Sequence, residues 1–438
     1  MRCIGIDIGS SSIKGGVLNL ATGKVEQLAK EPFPETVAGL PSGFHEVAPT
    51  DVIVRTRSVI RQLLDFAPEA RQVYFCSQMG GILLVDAKRQ PVTNYLSWRD
   101  QRTLEPVALD SEVTVLENIR SRLSDQVFTE LGKELKPGSA TALLHWLARR
   151  KALPARTTPV TIGDFVISHL CNAEPLMHRT HGIGMVNLLN QDWHHAAFEA
   201  MDLHGLQWPE FAEDNLPVGV LHEEGRALQC FAAIGDQQAA LFGIDLQENE
   251  LSINASTGSQ VSRITSTFQP SDCQTRCWFG GRFLNTITHI PAGRSLTVIE
   301  ALLTELARSA GLKLDNSWKL IAKAAEGATG NGLKCDLSFF SGAMGDNGNI
   351  TGITTENFTV GNLFQAAFEF MADSYLICSK RLSPQPQWDR LAVSGGLVQA
   401  FSPLRTKLQA RFPWPMREVA EQEETLTGLL RMAARQTS

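Results

Sequence analysis

Cys3-Ile-Gly-Ile-Asp-Ile-Gly-Ser-Ser-Ser-Ile-Lys14 is the stretch whose reading decides the fold. Ile4, Ile6 and Ile8 alternate with smaller or polar residues, the period-two pattern of a strand with one buried face. Asp7 stands near the strand's end, and Gly9, Ser10, Ser11 and Ser12 form a turn before the chain returns through Ile13 to Leu18. A glycine turn lets backbone N–H groups face a polyphosphate, and hydroxyls add donors. An aspartate beside such a turn repels a bare phosphate and suits Mg²⁺, held directly or through water. The same residues also describe an ordinary β-hairpin with a polar turn, and by themselves they leave both readings open.

The pattern recurs. Leu251-Ser-Ile-Asn-Ala-Ser-Thr-Gly-Ser-Gln-Val-Ser-Arg-Ile264 is again strand, Gly/Ser/Thr turn and strand. Two copies half a chain apart predict duplicated domains facing each other across a cleft. Only the first copy carries an aspartate; Asn254 or Ala255 falls where Asp7 would stand. One loop is therefore set up for a metal and the other for hydrogen bonding alone, as an enzyme with one nucleotide site requires.

The 438 residues suit two domains, expected at 1–246 and 247–438 with the boundary near Ile244–Glu250. With 43% hydrophobic and 20% charged residues the composition is globular. A net charge of −6 gives no support for nucleic-acid binding. No apolar run approaches the roughly 18 residues of a membrane span, and no basic leader precedes Asp7. The expectation is a cytoplasmic enzyme, monomeric or homodimeric, without nucleic-acid or membrane partners. Eight cysteines, mostly isolated among apolar neighbours, read as reduced thiols, Cys273 and Cys277 included.

Apolar spacing predicts helices over Thr50–Phe66, Ser139–Arg150, Val298–Leu306, Val360–Leu382 and Thr425–Ala434, and one starting at Phe165 and capped at Asp164. Val73–Cys76, Ile82–Val85, Phe231–Ile234 and Arg390–Ser394 read as strands. The fold class is α/β.

Four further constellations bear on chemistry. Asp236, in Ile234-Gly-Asp-Gln-Gln, follows a strand and opens a helix; it either caps that helix or takes a proton from an alcohol. Ser394-Gly395-Gly396 after a strand is either a tight helix entry or a place where a flat ring approaches the backbone. Trp98-Arg-Asp-Gln-Arg102 mixes an aromatic with charge, which suits a polyol or plain surface salt-bridging. The Gln78-Met79 loop either lines a pocket or buries its Met in the core.

Taken in order, these segments resemble the FGGY family of carbohydrate kinases within the actin-like ATPase superfamily. The matching stretches are IGIDIGSSSIK (4–14 within the opening hairpin), CSQMGG (76–81), LSWRDQR (96–102), PGSATALLHWL (137–147), AIGDQQAALFG (233–243), INASTGSQV (253–261), FFSGAMGDNGNITGI (339–353) and LAVSGGLVQ (391–399). The GGRFLN (280–285) and LQARFPWPM (408–416) segments resemble the sedoheptulokinase branch. The resemblance implies two duplicated ribonuclease-H-like domains with an interdomain cleft, and phosphorylation by Mg-ATP of a ketose such as sedoheptulose. Xylulose, ribulose or glycerol are the alternative acceptors, and an actin-like nucleotide switch is the non-enzymatic one.

The same resemblance implies roles for individual residues. Asp236 would be the general base and Gln237 would help hold the sugar, with Gln78, Met79, Trp98 and Asp100 lining its pocket. Asp7 would position Mg²⁺, with Gly9, Ser10, Ser11 and Lys14 at the phosphates. Thr257 and Gly258 would meet the phosphates from the other domain, and Gly395 and Gly396 the adenosine. Two departures stand out. Gly80 occupies the place of a histidine found in many ketose kinases, which enlarges the pocket or removes a hydroxyl partner, and Asn347-Gly348-Asn349 replaces the usual Arg-Gly step.

Overall fold

The computed structural model describes residues 1–214, 216–312, 314–329, 332–419 and 423–437. Its first sheet begins with the opening hairpin, strands Arg2–Ile8 and Ser12–Asn19, extended by Lys24–Pro32. The chain then crosses through the helix Pro49–Phe66 and returns as Gln72–Ser77, parallel to the first strand with Asp7 opposite Cys76 and Ile8 opposite Ser77. Arg226–Phe231 adds in parallel and Pro217–Glu223 closes the edge. The second sheet repeats the plan: Glu250–Asn254, Ser259–Thr265 and Phe283–Ile290 are antiparallel neighbours, followed by parallel Arg390–Ser394 and Met416–Glu418. Gln274–Cys277 lies at the outer edge of the second sheet beside Phe283–Ile290, and without it and Pro217–Glu223 the order in both sheets is 3-2-1-4-5, the arrangement expected of duplicated ribonuclease-H-like domains.

Each sheet has a helix on its outer face. Val52, Val59, Ile60, Leu63 and Leu64 of Pro49–Phe66 pack on Ile4, Ile6 and Ile8. Gly15 permits that approach, since a Cβ there would lie 2.7 Å from Leu63 Cδ1. In the second lobe Val360–Leu382 does the same, with Phe364 and Phe368 against Leu251 and Ile253. Segments between residues 82 and 203 form a cap with its own core of Ile82, Leu143, Trp146, Trp193 and Phe198, while Ile162–Cys171 within that range packs on the first sheet through Phe165, Val166 and Leu170.

Between the sheets lie Asp236–Gly243 and the closing helix Glu424–Thr437. They touch through reciprocal glycines: a Cβ on Gly243 would sit 2.0 Å from Glu424 O, and one on Gly428 2.0 Å from Ala239 O. Leu426, Leu429 and Leu430 share one core with Cys3, Leu18, Tyr74 and Phe231, and each such burial contributes about 1.5–3 kcal/mol. The closing helix, which a boundary near Ile244–Glu250 leaves in the second domain, thus packs against the first sheet.

Two local expectations change. The helix expected from Phe165 runs Ile162–Cys171, and its N-cap is Thr161, whose hydroxyl accepts from Asp164 N; Asp164 is the reciprocal partner of a capping box. The strand expected at Phe231–Ile234 is split into Arg226–Phe231 and the two-residue Ile234–Gly235. All eight cysteines are free thiols, and no helix among the described residues is long and apolar enough to cross a membrane.

Candidate active site

Three strands of the first sheet end side by side: Arg2–Ile8, Gln72–Ser77 and Ile234–Gly235. Asp7, Cys76 and Ile234 share one row across them, and Asp236 follows two residues beyond, at the first turn of its helix. Asp7 and Ile234 therefore stand two strand spacings apart, about 10 Å, and Asp236, two residues beyond Ile234, lies within reach of the Asp7 charge. Carboxyl ends of such strands are where ligands of open α/β sheets bind.

Asp7 is buried. Its Oδ2 accepts from Thr425 Oγ1 at 2.8 Å and lies 3.8 Å from Lys14 Nζ, while its Oδ1 is buried without a partner. Burial raises its pKa against the pull of Lys14 and Thr425. Burial likewise opposes the Lys14 charge, but Glu423 at 2.9 Å, with Asp7, holds the ammonium above its usual range. An orphaned carboxylate oxygen beside a serine-rich turn fits a hard divalent cation. In that turn Gly9 N donates to Ser12 O at 3.1 Å, with Ser10 half-buried and Ser11 exposed.

Asp236 keeps a window to solvent but is otherwise enclosed. Burial, then the charge of Asp7, push its pKa up to about 7, opposed by the Gln237 amide at 2.8 Å and by Arg276. The acid that the sequence left as either cap or base is not a side-chain cap: Gly235 is the N-cap, and no side-chain cap bond exists.

The facing turn comes from the second lobe. Asn254 ends the strand Glu250–Asn254 opposite Ser394, and its amide donates to Ser394 Oγ at 2.9 Å. Thr257 and Gly258 are exposed at its tip. Gly395, at φ +99°, meets it: a Cβ there would be 2.3 Å from Ala255 O, so glycine is required, and Gly396 beside it borders open space.

On the cap side, Gln78 donates through Nε2 to Gly9 O at 3.4 Å and leaves Oε1 without a partner; Met79 packs its sulfur against Gly235. Trp98 is 39% exposed, its backbone pressed on Gly138 and its Cβ 3.1 Å from where a Cβ of Gly80 would lie. Gly80 has φ +76°, so a histidine would be strained there. Asp100, expected in the sugar pocket, is sealed instead. It is 0% exposed, binds Arg102 through both oxygens at 2.9 Å, and accepts from the amides of His45 and Arg102. Arg102 is itself stacked between Phe44 and Trp146, so this aspartate anchors the loop that presents Trp98. Gln237 is also committed: its Nε2 donates to Gln260 Oε1 and Thr286 Oγ1 at 3.0 Å, and its Oε1 accepts from Arg276.

Thr425, Glu423 and Arg276 escaped the sequence reading. They come from distant segments and no local motif marks them.

The fold and site define a two-lobed protein built from paired actin-like ATPase domains. A profile of the FGGY family of carbohydrate kinases, N-terminal domain, matches residues 2–243. The chain belongs to the FGGY family of carbohydrate kinases. It is 21% identical to sedoheptulokinase of Homo sapiens over 304 residues, 64% of this chain, and spans 63% of that relative's length. Xylulose kinase from Rhodospirillum rubrum superposes with a TM-score of 0.83 at 17% identity, covering 100% of this chain and 91% of that one. Glycerol kinase from Plasmodium falciparum, solved with ADP, superposes at 0.82 and 13% identity, covering 100% and 89%. Likeness at these identities speaks to the fold.

Proposed function

We propose that this protein transfers the γ-phosphoryl group of ATP to a hydroxyl of a ketose, with sedoheptulose the first candidate acceptor. The observation that carries the reading is that Asp7 and Asp236 stand at the ends of two strands flanking Gln72–Ser77 in one sheet, close enough for one charge to raise the pKa of the other. Asp236, poised at about 7, is the general base that accepts the hydroxyl proton. Asp7, through its free Oδ1, would hold Mg²⁺, which supplies charge stabilisation at the phosphates. Gly9, Ser10, Ser11 and Lys14 bind phosphate from one lobe and Thr257 and Gly258 from the other, with Gly395 and Gly396 at the adenosine. Gln78, Met79 and Trp98 face the sugar.

Sedoheptulose is favoured by the similarity to the human sedoheptulokinase. Xylulose, ribulose and glycerol are the competing acceptors. The protein acts in the cytoplasm as a monomer or homodimer. The test is ADP release with Mg-ATP across ketoses and polyols. Asp236→Asn is expected to abolish turnover and leave ATP affinity intact; wild-type turnover in that variant removes the base from the mechanism, and nucleotide-driven polymerisation without any acceptor would favour an actin-like switch.

A further inference from the structure

We propose that Arg276 is a positioning residue: a bolt from the second lobe that locks the helix Asp236–Gly243 in place, so that Asp236 is held in its working orientation when the lobes are engaged. The proposal rests on reading Asp236 as the general base. Arg276 lies on Gln274–Cys277, the edge strand of the second sheet, and is almost fully buried. Both its partners belong to the first lobe. Its Nε donates to Glu134 Oε1 at 2.5 Å and its Nη1 to Gln237 Oε1. Glu134 is 3% exposed; burial works against its charge, and Arg276 with Lys136 overcomes it, holding the carboxyl below its usual range.

The seam around this guanidinium is stitched throughout. Gln237 Nε2 reaches Gln260 and Thr286, and Gln238 Nε2 donates to Cys277 O at 3.1 Å. Thr275 N donates to Gly132 O at 3.0 Å, and Lys133 Nζ to Ser271 O at 2.7 Å. Gln237 matters because its own amide holds Asp236 Oδ1 at 2.8 Å. Whatever fixes residue 237 fixes the carboxylate before it. The groups that face Asp236 are Asp7, Cys76, Tyr95 and Arg276, and Arg276 supplies the favourable charge among them. Its planar fork serves two acceptors at once, which a lysine ammonium on a flexible stem does not reproduce.

The test uses the full chain, free of nucleotide and sugar, in two variants, Arg276→Lys and Arg276→Met. Amide hydrogen exchange in Asp236–Gly243 is expected to rise at least about tenfold in both, with Arg2–Ile8 unchanged, because local opening follows the lost bolt. The ¹³C titration of the Asp236 carboxyl, identified by its disappearance in Asp236→Asn, is expected to keep its midpoint in Arg276→Lys and move to higher pH in Arg276→Met. A merely structural arginine would not separate the two variants in this way. Unchanged exchange in Asp236–Gly243, or equal midpoints in the two variants, overturns the proposal. If Arg276→Met does not fold, Gln237→Met cuts the same contact, and unchanged helix exchange there is equally fatal. Neither readout needs turnover, so failure here leaves the base reading standing, whereas full turnover in Asp236→Asn overturns that reading and leaves the bolt.

Discussion

Replacing Asp7 by Asn isolates the coupling between the two carboxylates. The side chain keeps its size, and Thr425 retains an oxygen to donate to. Two unit charges about 10 Å apart at an effective dielectric of about 20 repel by about 1.7 kcal/mol, equivalent to about 1.2 pKa units. Lys14, 3.8 Å from Asp7 Oδ2, offsets part of this repulsion. The Asp236 midpoint, about 7 in the intact protein, is therefore expected to fall in Asp7→Asn. The fall is about 0.3 to 1.2 units, the upper figure being the unscreened one. Isotope-edited infrared spectroscopy of the carboxyl stretch measures it directly in the nucleotide-free protein. A folded Asp7→Asn protein with an unshifted Asp236 midpoint would show that the two carboxylates do not share a crevice, and the proposed phosphoryl-transfer site would fall with it.

Three further outcomes follow from named contacts. Because the folded pKa of Asp236 stands above that of an ordinary carboxylate, ionising it costs folding free energy as pH rises from about 4 through 7. Asp236→Asn is expected to raise the unfolding free energy above neutrality by up to a few kcal/mol, and to leave it unchanged near pH 4; a pH-independent difference refutes this. Gly428→Ala puts a Cβ 2.0 Å from Ala239 O between the two interlobe helices, and its unfolding free energy from urea titration is expected to drop by about 1–3 kcal/mol or more; an unchanged value contradicts the packing. Gly80→His, at φ +76°, is expected to cost about 1–2 kcal/mol of backbone strain and to crowd Trp98. Thermal unfolding at wild-type temperature would contradict the assigned turn conformation.

The elements legible in the sequence were those with local signatures. The opening hairpin and its second copy announced themselves through alternation and glycine turns. Val360–Leu382 and Arg390–Ser394 were bounded as observed, because a long amphipathic period and a β-branched run ending in glycines have few competing readings. Short cap helices such as Val115–Arg122 and Asp125–Glu130 went unread, since one or two turns carry too few periods to register. From sequence Asp164 reads as a cap because the capping box puts two cap-competent residues three apart, and only the hydrogen bonds tell which one stands outside the helix.

By itself the chain determined that two like domains would each present a polar turn at a strand end, and that Asp7 and Asp236 would occupy strand-end positions. Those properties follow from backbone preferences that act within a few residues. Only the tertiary structure decided that Asp100 is consumed by Arg102, that Thr425 travels across the molecule to hold Asp7, and that Arg276 reaches Gln237 from the other lobe. Each depends on contacts between residues separated by tens to hundreds of positions, or on which side of a loop faces inward. Chain folding sets these through burial of whole faces, and no short stretch of sequence encodes them.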